Sequence, residues 1–139
     1  MNRRRYWKSF FGKDFFELEI TGRIKTYEDA CTELGINPLD ETKLIGLGLS
    51  KHDIVYAKLT TVVEALNEGW VVDVYDRTSY GWVPSFCLSR TQTSLAFDVS
   101  NYYWVGWSAN SGSRLYLKSK ELSDYCGQQF LDLWKEFLL

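Results

Sequence analysis

Trp70-Val71-Val72-Asp73-Val74-Tyr75, Gly81-Trp82-Val83-Pro84-Ser85-Phe86-Cys87-Leu88, Leu95-Ala96-Phe97-Asp98-Val99, Tyr102-Tyr103-Trp104-Val105-Gly106-Trp107 and Arg114-Leu115-Tyr116-Leu117-Lys118 decide the fold. Short runs rich in Val, Phe, Tyr and Trp, alternating in polarity and separated by Ser, Thr, Asn and Gly, predict an antiparallel sheet. On both sides of this stretch the apolar spacing becomes helical. The expectation is an α+β domain: one antiparallel sheet of about four to six strands, two main helices on one face, and a short N-terminal helix.

Upstream, Ser50-Lys51-His52-Asp53 has the form of a capping box, and Val55, Leu59, Val62, Val63 and Leu66 then draw one apolar stripe to Asn67-Glu68-Gly69. Thr26-Tyr27-Glu28-Asp29 is a second box, opening a short helix through Leu34 that Gly35 closes. Between them, residues 37–49 hold Pro38, Gly46 and Gly48 and read as a loop. Phe16 to Ile20 alternates like a strand ended by Gly22. Downstream, Ser119 caps a final helix with Leu122, Cys126, Phe130, Leu133, Trp134 and Phe137 on one stripe, and Gly127 within it predicts close approach to the sheet.

At 139 residues the chain is expected to be a single domain, with residues 1–23 a basic and aromatic segment ending in a strand and residues 24–139 the core. Charged residues are 24% and hydrophobic residues 45%, which fits neither bulk disorder nor a membrane protein. No run of about 18 apolar residues is present to span a bilayer, and the first sixteen residues lack the apolar core of a signal peptide. Cys31, Cys87 and Cys126 are odd in number and set in apolar surroundings, the usage of buried thiols in a reducing compartment such as the cytoplasm.

Candidates for chemistry are weak. His52, the one histidine, has Asp53 beside it, but adjacent helical residues point about 100° apart, and capping alone explains the position. Asp73, Asp76 and Asp98 lie in or next to predicted strands, where solvent or a pairing with Arg77 or Arg114 accounts for them. Asn110-Ser111-Gly112-Ser113 lacks the spacing of a phosphate loop and reads as a hairpin turn. No catalytic residue, cofactor or metal ligand is assigned.

The unusual quantity is 17% aromatic residues, with six Trp and nine Tyr. Their rings bury large areas but carry polar edges that place many of them at half-wet surfaces. Strict alternation would put Trp82, Phe86, Leu88, Leu95, Phe97, Val99, Tyr103, Val105, Trp107, Leu115 and Leu117 on the helix-covered face. Tyr75, Val83, Ala96, Tyr102, Trp104 and Tyr116 would then share the other with Arg114 and Lys118. Such a second face is either covered, by the N-terminal segment or another protomer, or serves as a ligand platform. Arg3, Arg4 and Arg5, beside Tyr6 and Trp7, could add phosphate contacts, or stay solvated while Trp7, Phe10 and Phe11 pack on the sheet.

Three stretches carry a family resemblance: Ile24-Lys25-Thr26-Tyr27-Glu28-Asp29-Ala30-Cys31 through Leu34-Gly35-Ile36; Ala65-Leu66-Asn67-Glu68-Gly69-Trp70; and Ser113-Arg114-Leu115-Tyr116-Leu117-Lys118-Ser119 continuing through Glu121-Leu122, Tyr125, Gly127, Gln129-Phe130 and Lys135-Glu136-Phe137-Leu138. Together they resemble a family of small uncharacterised proteins encoded by phages and prophages of gut anaerobic bacteria. The resemblance implies a mobile-element origin and a bacterial cytoplasm or virion, and it implies no activity. The chain departs from the family pattern at Val71-Val72-Asp73-Val74 and in its basic N-terminus.

The leading expectation is therefore a non-catalytic phage-type protein that binds a macromolecular partner or self-associates through its second sheet face. The alternatives are single-stranded nucleic-acid binding across that face, and a small-ligand-binding or hydrolytic protein acting on host signals or polysaccharide.

Overall fold

A computed structural model describes residues 19–89, 94–104 and 113–139. The expected strand segment Phe16 to Leu18, Val105 to Trp107, the turn Asn110 to Gly112, and the arginines Arg3, Arg4 and Arg5 lie outside the described residues. Within them the fold is α+β, in the order α1 (Ile20–Arg23), α2 (Tyr27–Leu34), α3 (Glu41–Gly46), α4 (Lys51–Asn67), β1 (Tyr80–Leu88), β2 (Leu95–Trp104), a 3-10 turn (Ser113–Leu115), α5 (Lys120–Gln129) and α6 (Leu131–Leu138).

Both expected capping boxes form. Thr26 Oγ1 accepts from the Asp29 N–H at 3.1 Å and Ser50 Oγ from the Asp53 N–H at 3.2 Å, while each aspartate reaches back to its cap. Three helical assignments differ from the sequence reading. Ile20 enters a helical turn rather than a strand. Residues 37–49 contain α3, because Asp40 caps it by accepting from the Lys43 N–H, although no side chain of α3 is buried. The final helix is two helices meeting at Phe130, whose φ of −106° breaks the regular path.

The sheet is smaller than expected. Among the described residues it has two strands, β1 and β2, paired antiparallel. Leu95–Val99 and Tyr102–Trp104 belong to one continuous strand. The Val-rich run before β1 is not a strand: residues 71–79 follow turns in which Asp73 accepts from the Tyr75 N–H and Asp76 from the Thr78 N–H and hydroxyl. In Arg114 to Lys118 only Leu117 pairs with the sheet, exchanging two backbone hydrogen bonds with Trp82 at 2.8 and 2.9 Å.

That single bridge is completed by a side chain. Leu117 directs its N–H and C=O toward β1, so its neighbours direct theirs the other way. There Asn67, buried at the end of α4, donates through Nδ2 to the Tyr116 carbonyl (2.9 Å) and accepts at Oδ1 from the Lys118 N–H (3.0 Å). The carboxamide thus stands where a further strand would offer its peptide groups, and the polar groups of a buried edge are satisfied.

The core is helical on one side of the hairpin. α5 lies directly on both strands, α6 touches β2, and α4 packs on α2, α6 and the 3-10 turn rather than across the strands. Ile24, Leu59, Val62, Leu66, Leu117 and Cys126 form its fully buried centre. Gly127 faces the strands as its sequence position predicted: a Cβ there would stand 2.5 Å from Phe97 Cδ2 and 2.8 Å from Pro84 Cβ. Cys31 and Cys126 are buried, whereas Cys87 is exposed on β1, contrary to the expectation of three buried thiols.

Candidate functional site

The register of the hairpin creates a site that strict alternation hides. Ser85 faces Val99 but Phe86 faces Phe97, so Asp98 is an extra residue on β2. A bulge of this kind reverses which face every later residue points to. Beyond it Ser100, Tyr102 and Trp104 share a face with Tyr80, Trp82, Pro84, Phe86, Leu95 and Phe97, while Val99 and Tyr103 turn to the other.

The shared face has two halves. Toward Leu88, α5 and α6 cover it: Trp134 lies on Phe86 at 5.5 Å, Phe86 meets Phe97 edge to face, and the Ser100 and Ser123 hydroxyls hydrogen-bond at 2.8 Å. Toward Tyr80 the helices stop and four rings continue. The register sets Tyr80 opposite Trp104 and Trp82 opposite Tyr102. Ring centroids are 5.1 Å apart for Tyr80–Trp104, 5.8 Å for Tyr80–Tyr102 and 5.3 Å for Trp82–Tyr102, with interplanar angles of 64°, 67° and 55°. These are the separations and tilts at which aromatic quadrupoles attract, so the rings brace one another as a ladder. Tyr80, Tyr102 and Trp104 nonetheless remain 43%, 53% and 49% exposed.

The six residues expected to form one binding face are divided by this geometry. Tyr102 and Trp104 stand in the ladder. Tyr75 is 92% exposed on the turn segment before β1. Tyr116 is 3% exposed and stands apart from the ladder: its ring covers Gly81, where a Cβ would come within 2.5 Å of it, and stacks on Tyr103 at 6.4 Å and 12°. Lys118 sits 3.7 Å from Glu68. Arg114, on the surface, lines an open groove of about 690 Å³ with Tyr116, Trp70 and Val74. Tyr80 and Trp82, which complete the ladder, become recognisable as partners of Trp104 and Tyr102 only once the bulge at Asp98 is known.

Titratable groups elsewhere are engaged locally. Asp53 accepts from the Ser50 N–H at 2.8 Å and hydroxyl at 2.7 Å, which holds its carboxyl below the usual range. His52 lies flat on Phe137 at 4.9 Å in a second open groove, of about 840 Å³, with Lys58 and Glu136 also on its walls. Asp76 is held low by its bonds from Thr78. Burial raises the Cys126 thiol to about 12, against a smaller lowering contact from the Trp134 indole. Among the described residues no group of three His, Cys, Asp or Glu is placed to hold a metal ion, and no helix is long and apolar enough to cross a membrane.

Comparisons with models of protein families, with curated proteins and with solved structures returned no significant match.

Proposed function

We propose that this chain is a non-catalytic, phage-type protein that works by engaging a macromolecular partner through the ladder of Tyr80, Trp82, Tyr102 and Trp104. The observation that carries the reading is the half exposure of three rings that are already locked against one another. Rings held in place before contact lose little conformational freedom when a partner arrives, which is why rigid Tyr and Trp recur as anchors of protein interfaces. The resemblance of the sequence to phage-encoded proteins supports a bacterial cytoplasm or virion as the setting.

Charge favours a protein over a nucleic acid as the partner. Residues 1–18 hold Arg3, Arg4, Arg5, Lys8 and Lys13 against Asp14 and Glu17, so of 16 Lys and Arg and 18 Asp and Glu, residues 19–139 keep 11 and 16. The part of the chain that bears the ladder repels phosphate on balance.

Wild type and a Tyr102→Ala, Trp104→Ala double variant, immobilised side by side and washed with extract of phage-induced bacteria, test the reading. Proteins retained by the first and lost from the second support it. Identical retention, or recovery of nucleic acid alone at low salt, counts against it.

A further inference from the structure

Resting on the ladder as the binding surface, we infer that its partner is a second copy of this chain, joined to it edge to edge along β2 beyond the bulge at Asp98. The hairpin has one closed edge and one open edge. Trp82 directs its N–H and C=O to Leu117, away from β2. In an antiparallel pair, opposite residues either bond each other or both point outward. Tyr102, opposite Trp82, therefore directs its N–H and C=O to the outer side of β2, as does Trp104, opposite Tyr80. On the β1 side Leu117 occupies the edge, and Pro84 has no N–H to offer. On the β2 side the N–H and C=O groups of Tyr102 and Trp104 have no hydrogen-bond partner among the described residues. From Val99 to Trp104 the strand also lacks the charged residues and prolines that blunt a free edge. An edge of this kind pairs with another strand.

The edge is complementary to itself. Two copies meet about a two-fold axis, where residue i faces j and j faces i. With the axis at Tyr103, Tyr102 of one copy faces Trp104 of the other, and each donates to and accepts from the other through groups that already point outward. On the ladder face the Tyr102 and Trp104 rings of the two copies then adjoin, so the two ladders run on as one. On the opposite face the half-exposed Tyr103 rings meet across the axis. The nearest charges in sequence are Asp98 at the bulge and, ahead of Tyr80, Asp76 and Arg77; they include both signs, and the whole chain carries only −2, so like-charge repulsion between copies is small. Taking about 200 Å² per aromatic side chain, the exposed fractions of Tyr80, Tyr102, Tyr103 and Trp104 come to roughly 400 Å², to which Val99 and the backbone strip add. Cys87, Leu88 and Ala96 are exposed at the other end of the hairpin, outside the contact. A standard interface takes about 800 Å² from each partner, so the dimer belongs to the weak, reversible class, with a Kd in the micromolar range or above.

Sedimentation velocity of the full chain, from about 1 μM to about 1 mM, tests the inference and is expected to show monomer passing to dimer. Tyr103→Lys sets like charges face to face at the axis, and Trp104→Pro removes an outward N–H while sparing the bonds to β1. Each is expected to weaken association about ten-fold or more, with far-ultraviolet circular dichroism unchanged. Cross-linking reads the register without those variants. On a Cys87→Ser background, Tyr103→Cys puts the Cα atoms of a directly opposed, non-hydrogen-bonded pair about 4.5 Å apart, within disulfide reach. Asn101→Cys leaves them about 14 Å apart. A mild oxidant should link the first variant and not the second. The inference is overturned by a monomer mass throughout the series, by a dimer that neither Tyr103→Lys nor Trp104→Pro weakens, or by equal linking at positions 101 and 103. A monomeric chain that still loses an extract protein with the Tyr102→Ala, Trp104→Ala variant overturns the second copy and leaves the ladder standing. A monomeric chain that loses none overturns both.

Discussion

Asn67→Ala and Asn67→Leu probe how the hairpin is tied to the helices. The carboxamide satisfies the Tyr116 carbonyl and the Lys118 N–H from a position only 5% exposed. Removing it takes away the bond that the buried Tyr116 carbonyl accepts, which costs about 1–3 kcal/mol, while the Lys118 N–H is partly solvated and adds about 1 kcal/mol or less. The expected loss is about 2–3 kcal/mol, equivalent to a drop of roughly 10 °C in Tm for a chain of this length. Urea denaturation followed by far-ultraviolet circular dichroism measures it, the midpoint falling with little change in slope. Hydrogen exchange gives the local counterpart, since the Leu117 N–H bonded to Trp82 should lose protection ahead of the core of α4. Asn67→Leu keeps the branched four-atom skeleton of the side chain and discards both bonds, so a leucine variant as stable as wild type would refute the hydrogen-bond reasoning.

Gly127→Ala gains helix propensity of about 1 kcal/mol but drives a methyl into Phe97 and the rigid Pro84 ring. A net destabilisation of about 1–2 kcal/mol is expected from the balance of propensity and overpacking, read by the same denaturation. Of the three thiols, only Cys87 should react with a disulfide reagent in the native state, and slowly near neutral pH, since desolvation and the adjacent Asp98 raise it; all three should react in guanidinium. Asp53 has a folded pKa depressed below 3.8 by its bonds from Ser50. Its contribution to stability is therefore present above that ordinary value and lost as the pH falls through the depressed one. Asp53→Asn should flatten the stability profile in that acid window and leave its slope near neutrality unchanged.

How much of this was legible in the sequence depends on the range of the interaction involved. Capping boxes at Thr26 and Ser50 are local, with donor and acceptor three residues apart, and both read correctly. Gly127 announced a close approach because nothing within a helix explains a glycine there. The α+β class followed from the contrast between alternating and helical spacing. Strand number did not follow, because Val71, Val72 and Val74 have strand-like character while Asp73 and Asp76 bend the backbone into turns. The two faces were misassigned from one residue: the bulge at Asp98 leaves no mark in the alternation, yet it carries Tyr102 and Trp104 over to join Tyr80 and Trp82. Tyr116 was placed on the surface because its segment reads as a strand, whereas only Leu117 pairs and the Tyr116 ring closes over Gly81. Asn67 ends a helix in sequence terms, and its role toward residues 116 and 118 is a contact across about fifty positions that no local pattern encodes.

The central claim is that a lone subunit leaves the ladder open to another molecule. Hydroxyl-radical footprinting of the free chain, at a concentration where light scattering gives the monomer mass, measures this residue by residue. The account predicts oxidation of Tyr80, Tyr102 and Trp104 at rates well above those of Tyr116 and Trp134, matching exposures of 43%, 53% and 49% against 3% and 4%. Oxidation of Trp104 and Tyr102 as slow as that of Trp134 would contradict it, because the rings would then be sealed within the subunit itself.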